Sequence, residues 1–292
     1  MPDELSDPGK PSRGIRCNKD RFLSLMSTPR IIGIVLVRNE DLFVRRAVTN
    51  IIGFCDEILL CDNGSTDGTA AILRELSDAH PKISHHELRH PSESHDLLQR
   101  FVGTPTWVFG VDGDEIYDPV RLALFRLRLL AGEFSSIWRM KGNVLHCTRL
   151  DMTTRQAKGY LAPPSRSITK LYNFEAISSW QGDTVERLHG GKIEFREGFH
   201  DLMKRNFQES IPWEETPLRC LHLCFLSRSS LDQGRETSRE NIMEIYRGGV
   251  LKRLLRPLRL LLGKSPGSNW KADYYRRGPE VGLPVTDFFP GE

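Results

Sequence analysis

The segment WVFGVDGDE, residues 107–115, decides the fold and raises the first question about function. Its opening residues, Trp107 to Val111, form an apolar run typical of a buried strand. Three acids, Asp112, Asp114 and Glu115, follow within four residues. Carboxylates repel one another and are costly to desolvate. A strand that ends on them therefore indicates either a solvated acidic turn or a site that binds a cation.

Strand and helix patterns alternate around this segment. Short apolar runs typical of buried strands cover residues 31–37, 57–61 and 106–111, with a weaker candidate at 82–88. Helical spacing covers residues 41–53, 67–79, 93–102 and 120–132, and either Thr66 or Asp67 is expected to cap the second of these helices. The alternation predicts an α/β fold with a mostly parallel central sheet flanked by helices.

The second half of the chain has a less regular pattern. Strands are predicted over residues 135–146, 168–174 and 218–226, and helices near 229–247 and 250–262. Residues 154–167 (TRQAKGYLAPPSRS) have the composition of a loop.

Composition excludes several classes of protein. A chain of 292 residues with 39% hydrophobic residues can bury a sizeable core, and a net charge of only +3 argues against a nucleic-acid partner. The six cysteines form no CxxC pair, so we expect reduced core residues in a cytoplasmic protein. No apolar run reaches 18 residues, and residues 1–28 have the composition of a flexible leader, without the apolar region of a signal peptide.

Two polar loops follow predicted strands: DNGSTDGT, residues 62–69, and DGDE, residues 112–115. Ligands of open α/β sheets bind beyond the carboxyl ends of the strands. Mg²⁺ and Mn²⁺ prefer oxygen ligands, and they usually keep positions for water and substrate phosphates. Asp112 and Asp114 are two residues apart, so both could approach one ion in an extended turn, and Gly113 allows the backbone to come close.

These two loops and VRNE (residues 37–40), in this order and at these spacings, resemble family-two glycosyltransferases of the GT-A fold. The resemblance is closest to members with a D-A-D-E metal motif and covers roughly residues 30–130. It implies that the base and ribose are lined by Val37, Arg38, Asn39 and Glu40. It further implies that Asp62 and Asn63 bind the nucleotide, that Asp112 and Gly113 contact the nucleotide-sugar, and that Asp112 and Asp114 bind the metal.

The resemblance implies a metal-dependent transferase that moves a sugar, with inversion, from a nucleotide-diphospho-sugar to an acceptor hydroxyl. Mn²⁺ or Mg²⁺ is the expected cofactor, a UDP-sugar is the favoured donor, and the acceptor is a sugar, a lipid-linked sugar or another hydroxyl compound. Two alternatives stay open, a nucleotidyltransferase of similar fold and a non-catalytic nucleotide-sugar-binding protein. The chain departs from the family at SHDLLQ, residues 94–99, so the phosphate contact is expected from Arg100 or Arg166.

The resemblance divides the chain into four parts. Residues 1–28 are the leader, 29–132 the nucleotide-sugar-binding half, 133–247 the acceptor-binding and catalytic half, and 248–292 a C-terminal basic helix and tail. Leucines in 248–264 alternate with Lys and Arg at helical spacing. This pattern fits a core-packing helix with a solvated basic face, or a helix that makes peripheral contact with a membrane surface.

The acceptor-binding half contains the candidate general base. In SSWQGDTVERLHGG, residues 178–191, Glu186 is the preferred base, Asp183 is the second choice, and Trp180 is expected to stack on a sugar. The alternative is a hairpin with surface acids. His222 is either an additional metal ligand or a core residue. A zinc site formed by Cys220, His222 and Cys224 is disfavoured, because three ligands on one strand are poorly placed for a tetrahedron.

Overall fold

The computed structural model describes residues 28–182, 188–232 and 270–291. The helices in these ranges are α1 (Val44–Ile51), α2 (Thr69–Ala79), α3 (Glu93–Asp96), α4 (Pro119–Leu130) and α5 (Trp270–Tyr275). The strands are β1 (Arg30–Val37), β2 (Glu57–Asp62), β3 (Ile83–Glu87), β4 (Thr106–Asp112), β5 (Glu115–Tyr117), β6 (Arg139–Lys141), β7 (Asn143–Asp151), β8 (Gln156–Ala162), β9 (Lys170–Asn173), β10 (Ile177–Gln181), β11 (Lys192–Phe195), β12 (Lys204–Asn206), β13 (Arg219–His222) and β14 (Glu280–Pro284). The predicted α/β class is confirmed.

The central sheet has seven strands in the order β12-β6-β9-β4-β1-β2-β3. Strands β1 to β4 run parallel to one another, β6 and β12 are also parallel, and β9 is antiparallel to both of its neighbours. The sheet is therefore mostly parallel, as predicted. The carboxyl ends of β1, β2 and β4 consequently meet at one edge of the sheet.

Strand β1 is apolar throughout because both of its faces are buried. Ile31, Val35 and Val37 pack on one face in a core that includes the apolar sides of α1, α2 and α4. Ile32 and Ile34 pack on the other face, against a core that includes Leu98, Phe101, Phe174 and Trp180. Side chains of a strand alternate between faces, so an uninterrupted apolar run is the pattern that two cores require.

A second sheet has five strands in the order β14-β8-β7-β13-β5. Two short crossings lead into it from the central sheet, from β4 to β5 through Gly113 and from β6 to β7 through Gly142. At both crossings the backbone passes so close to other groups that there is no room for a side chain. A Cβ atom on Gly113 would lie 2.4 Å from Glu40 Oε2, and one on Gly142 would lie 1.6 Å from the carbonyl oxygen of Leu218. The DGDE motif is thus the junction between the two sheets.

Several predicted elements need correction. Residues 154–167 are not a loop, because 156–162 form β8, which pairs with β7 and β14. Residues 135–146 contain two strands that Gly142 separates. The helix predicted over 93–102 is reduced to α3 and a 3₁₀ turn at Gln99–Phe101. Helix α2 begins at Thr69, after Gly68, and the Asp67 side chain accepts a hydrogen bond from the Thr69 backbone.

Cys55, Cys61, Cys147, Cys220 and Cys224 are free and buried, as expected for core residues. In the part of the chain that the structure describes, no helix is long and apolar enough to cross a membrane. The predicted leader lies outside the described residues, apart from its last residue. So do most of the helix predicted at 229–247, the whole of the helix at 250–262 and the basic segment 248–264.

We predict that Gly142→Ala destabilises the protein, because the new Cβ atom would overlap the Leu218 carbonyl group. Overpacking of this kind typically costs about 1–3 kcal/mol. Urea denaturation should show this decrease in the free energy of unfolding. Gly53→Ala is the matched control, because no atom lies within 4 Å of the position of its Cβ. Equal stability of the two variants would contradict the close crossing at Gly142.

Candidate functional site

The predicted polar loops come together at one edge of the central sheet. Val37 at the end of β1 is in register with Asp62 at the end of β2, and Leu36 is in register with Asp112 at the end of β4. Asp62 and Asn63 are buried. The convergence expected from parallel strands is therefore present, although it assigns no role to any of these side chains.

The loop after β1, which includes Arg38, is bonded to the loop after β2. The Asn39 backbone donates to Ser65 Oγ at 3.0 Å, and the Asn39 side chain accepts from the Thr66 backbone at 2.7 Å. Asn39 has a positive φ of 54°, a conformation that Asn adopts more readily than most residues. Asp62 Oδ1 accepts from both the backbone and the hydroxyl of Ser65. Together these hydrogen bonds fix the loop after β1 against the loop after β2.

Asp114 is almost fully buried, and its main partner is Arg228. Arg228 Nη1 lies 2.5 Å from Asp114 Oδ2 and 3.0 Å from Glu40 Oε1. Burial alone would lower the pKa of Arg228, but the charges of Asp114 and Glu40 raise it above its ordinary value. The guanidinium is therefore a permanent cation that joins the loop after β1 to the turn after β4.

Lys170 on β9 is the second cation of the site. Its Nζ donates to Asp112 Oδ2 at 3.1 Å and lies 4.0 Å from Glu115 Oε1. Glu115 is fully buried, and its Oε2 accepts from the Tyr117 hydroxyl and the Asp112 backbone, each at 3.2 Å. Burial, followed by the charge of Asp112, raises the pKa of Glu115 well above its ordinary value. Glu115 thus keeps its proton to higher pH than an exposed glutamate does.

The charges of this cluster do not cancel. It contains four carboxyl groups and two cations. Even when Glu115 holds its proton, the other three carboxyl groups outnumber the two cations, so the cluster has an excess of negative charge. The acids that the sequence left unbalanced are thus partly neutralised by protein groups, and the remaining charge is of the sign that a metal cation would compensate.

His222 lies beside Asp114, with 3.7 Å between His222 Nε2 and Asp114 Oδ2. Strand β13 places it there, since His222 pairs with Glu115 on one side and with His146 on the other. The ligand atoms of His146, His222 and Cys224 lie within 4.8 Å of one another. The sequence suggested Cys220, His222 and Cys224 as a group to consider for zinc. In the structure Cys220 packs in the apolar core, and His146 lies with His222 and Cys224 instead.

Trp180 is buried and does not offer an open face to a sugar. Its ring is 3% exposed in the core on the second face of the sheet, and its Nε1 donates to the Gly190 carbonyl at 2.9 Å. His95 and Gln99, from the stretch that departs from the family, bond to the Trp180 carbonyl. We therefore give Trp180 a packing role, and His95 and Gln99 help to hold it.

One of the two expected basic contacts, Arg100, lies far from this edge of the sheet. Arg100 pairs with Glu57 at the amino end of β2. Five residues of strand, about 16 Å, separate Glu57 from Asp62, so Arg100 is too distant from the carboxyl edge to bind a phosphate there. Asp183 and Glu186 lie outside the described residues.

Sequence reasoning missed Lys170, Arg228 and His146. A lysine inside the predicted strand 168–174 was a signal that a buried charge needed a partner. Arg228 and His146 carried no comparable local signal.

We predict that Glu115 makes stability depend on pH. The unfolded chain loses this proton near the ordinary pKa of 4.5, whereas the native carboxyl keeps it to higher pH. The contribution of Glu115 to native stability should therefore fall as pH rises above about 4.5, by at most about 1.4 kcal/mol per pH unit. Glu115→Gln removes this titration, so its unfolding free energy relative to wild type should increase with pH.

Urea denaturation between pH 4 and 7 in the presence of a chelator measures this difference. Glu214→Gln, at an exposed position, should follow the wild-type pH profile. A constant difference between Glu115→Gln and wild type across that range would contradict a proton retained on Glu115.

Comparison with known proteins adds the family. The model of the family described as glycosyl transferase family 2 matches residues 34–202, more than half of the chain. No curated protein sequence matches. Similar solved structures include the mannosyltransferase PcManGT from Pyrobaculum calidifontis in complex with GDP-Man and Mn²⁺ (21% identity, TM-score 0.30, 42% of this chain and 37% of that chain). Another is glucosyl-3-phosphoglycerate synthase from Mycobacterium tuberculosis in complex with Mn²⁺, UDP and glucosyl-3-phosphoglycerate (21% identity, TM-score 0.29, 49% and 50%). This chain thus spans half or less of the length of both.

Proposed function

Because the chain belongs to glycosyl transferase family 2, we propose that it transfers a sugar from a nucleotide-diphospho-sugar to an acceptor hydroxyl, with inversion, in a reaction that depends on a divalent cation. The observation that carries the proposal is the meeting of Asp62, Asp112 and Asp114 at the carboxyl edge of β1, β2 and β4. This edge is where ligands of open α/β sheets bind.

The residues around Asp114 suit Mn²⁺ or Mg²⁺. Two ligand atoms bound to one such ion at about 2.1 Å can lie at most about 4.2 Å apart. Asp114 Oδ2 and His222 Nε2, at 3.7 Å, fall within this limit. The additional imidazole favours Mn²⁺ over Mg²⁺, since Mg²⁺ is usually held by oxygen atoms alone. Asp112, with its partly exposed carboxylate, would complete the protein ligands.

The bound ion would neutralise charge on the leaving diphosphate. The chain's own residues bind and orient the donor. We propose that Val37, Arg38, Asn39 and Glu40 line the base and ribose on one side, and that Asp62 and Asn63 do so on the other. The hydrogen bonds between the two loops support this arrangement, because they hold both sides of the pocket in place before the donor arrives. Preorganised groups cost less to order on binding.

Glu186 is proposed as the general base, with Asp183 as the second candidate. Leu188, the first described residue after this segment, supports the proposal. Leu188 is buried. A Cβ atom on Gly110, which precedes Asp112 by two residues in β4, would lie 2.7 Å from the Leu188 Cδ1 atom.

The division into a donor half, residues 29–132, and an acceptor half, residues 133–247, belongs to the same proposal. A UDP-sugar is the favoured donor, and a sugar, a lipid-linked sugar or another hydroxyl compound is the acceptor. Contact of residues 248–264 with a membrane surface is the corresponding hypothesis for a lipid-linked acceptor.

We predict that Asp114→Asn abolishes sugar transfer and the Mn²⁺ dependence of nucleotide binding, because it removes a charged ligand while keeping the side chain's shape. Thermal-shift titrations with UDP- and GDP-sugars, with and without Mn²⁺, measure binding. A ligand at 100 times its dissociation constant stabilises the protein by about 2.7 kcal/mol. Asp78→Asn, at an exposed position on α2, is the matched control.

Loss of the Asp114 charge also leaves Arg228 with one fewer partner, so the melting temperature of each variant without ligand must be recorded. A folded Asp114→Asn protein with wild-type turnover in excess chelator would refute metal dependence. Turnover of a nucleotide-sugar by the wild type also separates a transferase from a non-catalytic binding protein.

We predict that Glu186→Gln lowers the transfer rate about 10²- to 10⁴-fold, the usual contribution of a general base. Nucleotide affinity should stay near wild type, because the base contacts the acceptor and not the nucleotide. Asp183→Asn is the matched comparison. If only Asp183→Asn is inactive, the base is reassigned. Normal rates in both variants would remove the base from this segment.

A further inference from the structure

A chain of hydrogen bonds leads from a backbone carbonyl to the proposed metal site through two histidines. His146 Nε2 lies 2.9 Å from the Arg166 carbonyl oxygen, and His146 Nδ1 lies 2.8 Å from His222 Nδ1. His222 Nε2 then faces Asp114 Oδ2 at 3.7 Å. His146 is fully buried and His222 nearly so.

The partners determine which nitrogen carries each proton. A carbonyl oxygen only accepts, so the hydrogen of that first bond belongs to His146 Nε2. His146 is fully buried, and its ring nitrogens bond to a carbonyl oxygen and to another imidazole, so a charged ring would have no carboxylate hydrogen-bonded to it and the neutral ring is favoured. A neutral ring with a proton on Nε2 has a lone pair on Nδ1. The hydrogen between the two Nδ1 atoms therefore belongs to His222.

We infer that His146 is a positioning residue that holds His222 in the tautomer protonated on Nδ1. In this tautomer the lone pair lies on Nε2, the nitrogen that faces Asp114, and a lone pair is what a metal ligand requires. This inference rests on the metal site proposed above. It assigns to His146 the part that outer groups commonly play around metal-bound histidines, fixing tautomer and ring orientation.

Tyr275 holds the two rings at this geometry. Its ring stacks on His146, with 4.3 Å between centroids and 13° between planes, and meets His222 edge-on at 5.3 Å. Ser165 Oγ donates to the Tyr275 carbonyl at 2.9 Å and so anchors this part of the chain to the segment after β8. The rings are thus fixed by packing as well as by their hydrogen bonds.

A metal bound within the trio of His146, His222 and Cys224 is the competing explanation. Nitrogen atoms that bind one tetrahedral zinc at 2.0–2.1 Å lie about 3.3 Å apart. The two Nδ1 atoms are 2.8 Å apart, which is a hydrogen-bond distance. This spacing favours a hydrogen bond between the two rings over a zinc ion bound by both.

Nuclear magnetic resonance of the metal-free protein, labelled with ¹⁵N in its nine histidines, tests the tautomer directly. The long-range ¹H–¹⁵N pattern reports which ring nitrogen carries the proton, and His222→Gln identifies the signals of His222. We expect the proton on His222 Nδ1. A proton on His222 Nε2 would overturn the inference. This readout needs no bound metal, so it is independent of the proposed function.

Mn²⁺ affinity, measured by electron paramagnetic resonance of the free ion, tests the consequence. His146→Leu removes the acceptor and should weaken binding about 10- to 100-fold. His146→Asn should recover part of this loss, because its amide oxygen can accept at the position of Nδ1. His200→Asn, at an exposed position, should bind as wild type does.

The outcomes separate the hypotheses. Wild-type Mn²⁺ affinity in folded His146→Leu would overturn the positioning role. If His146→Leu does not fold, the inference is tested by the tautomer of His222 in the wild type and by the Mn²⁺ affinity of His146→Asn. Unchanged affinity in Asp114→Asn would instead refute the metal site. If the purified protein contains stoichiometric zinc and Cys224→Ser loses it, the inferred hydrogen bond between the two histidines would be wrong. A metal bound by His146, His222 and Cys224 would then be the explanation.

Discussion

Carboxyl groups that are buried where β1 and β4 end impose the constraint on which the rest of the structure depends. A carboxylate removed from water needs a partner, and loss of one partner of a buried ion pair typically costs about 3–5 kcal/mol. Arg228 is this partner for Asp114, 114 residues earlier in the chain, and Lys170 pairs with the partly exposed Asp112, 58 residues earlier. The ion pairs that stabilise these acids therefore also connect the second half of the chain to the first.

The crossing of the chain between its two sheets explains why the acids lie where they do. Asp112 ends a strand of the central sheet and Glu115 begins a strand of the second sheet. Gly113 between them passes against Glu40 and Val37 with no room for a side chain. One short turn thus contributes to both sheets and to the proposed metal site. Asp114 also stays beside His222 because its carbonyl oxygen accepts from the Leu223 backbone at 2.9 Å.

The family match ends at residue 202, whereas several groups that complete the site lie beyond it. Arg228 balances Asp114 and Glu40, His222 approaches Asp114, and Tyr275 stacks on His146. The matched region supplies the strands, the polar loops and the acids. The C-terminal part supplies a cation and an imidazole, so it contributes to the electrostatics of the site as well as to its shape.

Local patterns were sufficient for the α/β class, for the first strands and for the convergence of the polar loops. Buried strands need continuous apolar runs and helices need apolar residues at helical spacing, and both are properties of neighbouring residues. The rule for parallel strands then brings Asp62 and Asp112 to one edge. Strand β8 was missed because Gln, Lys, Gly and Pro resemble a loop in composition. Its pairing with β7 and β14 depends on residues far along the chain.

The sequence by itself determined that several acids end a buried strand, which indicated either a solvated acidic turn or a site with positive charge nearby. Only the tertiary structure decided that Lys170 and Arg228 supply it and that His146 orients His222. It also placed Trp180 in the core, away from an open sugar-binding surface. The physical reason is common to all of them. The partner of a buried polar group depends on contacts between residues that are distant in sequence. Local sequence patterns do not predict those contacts.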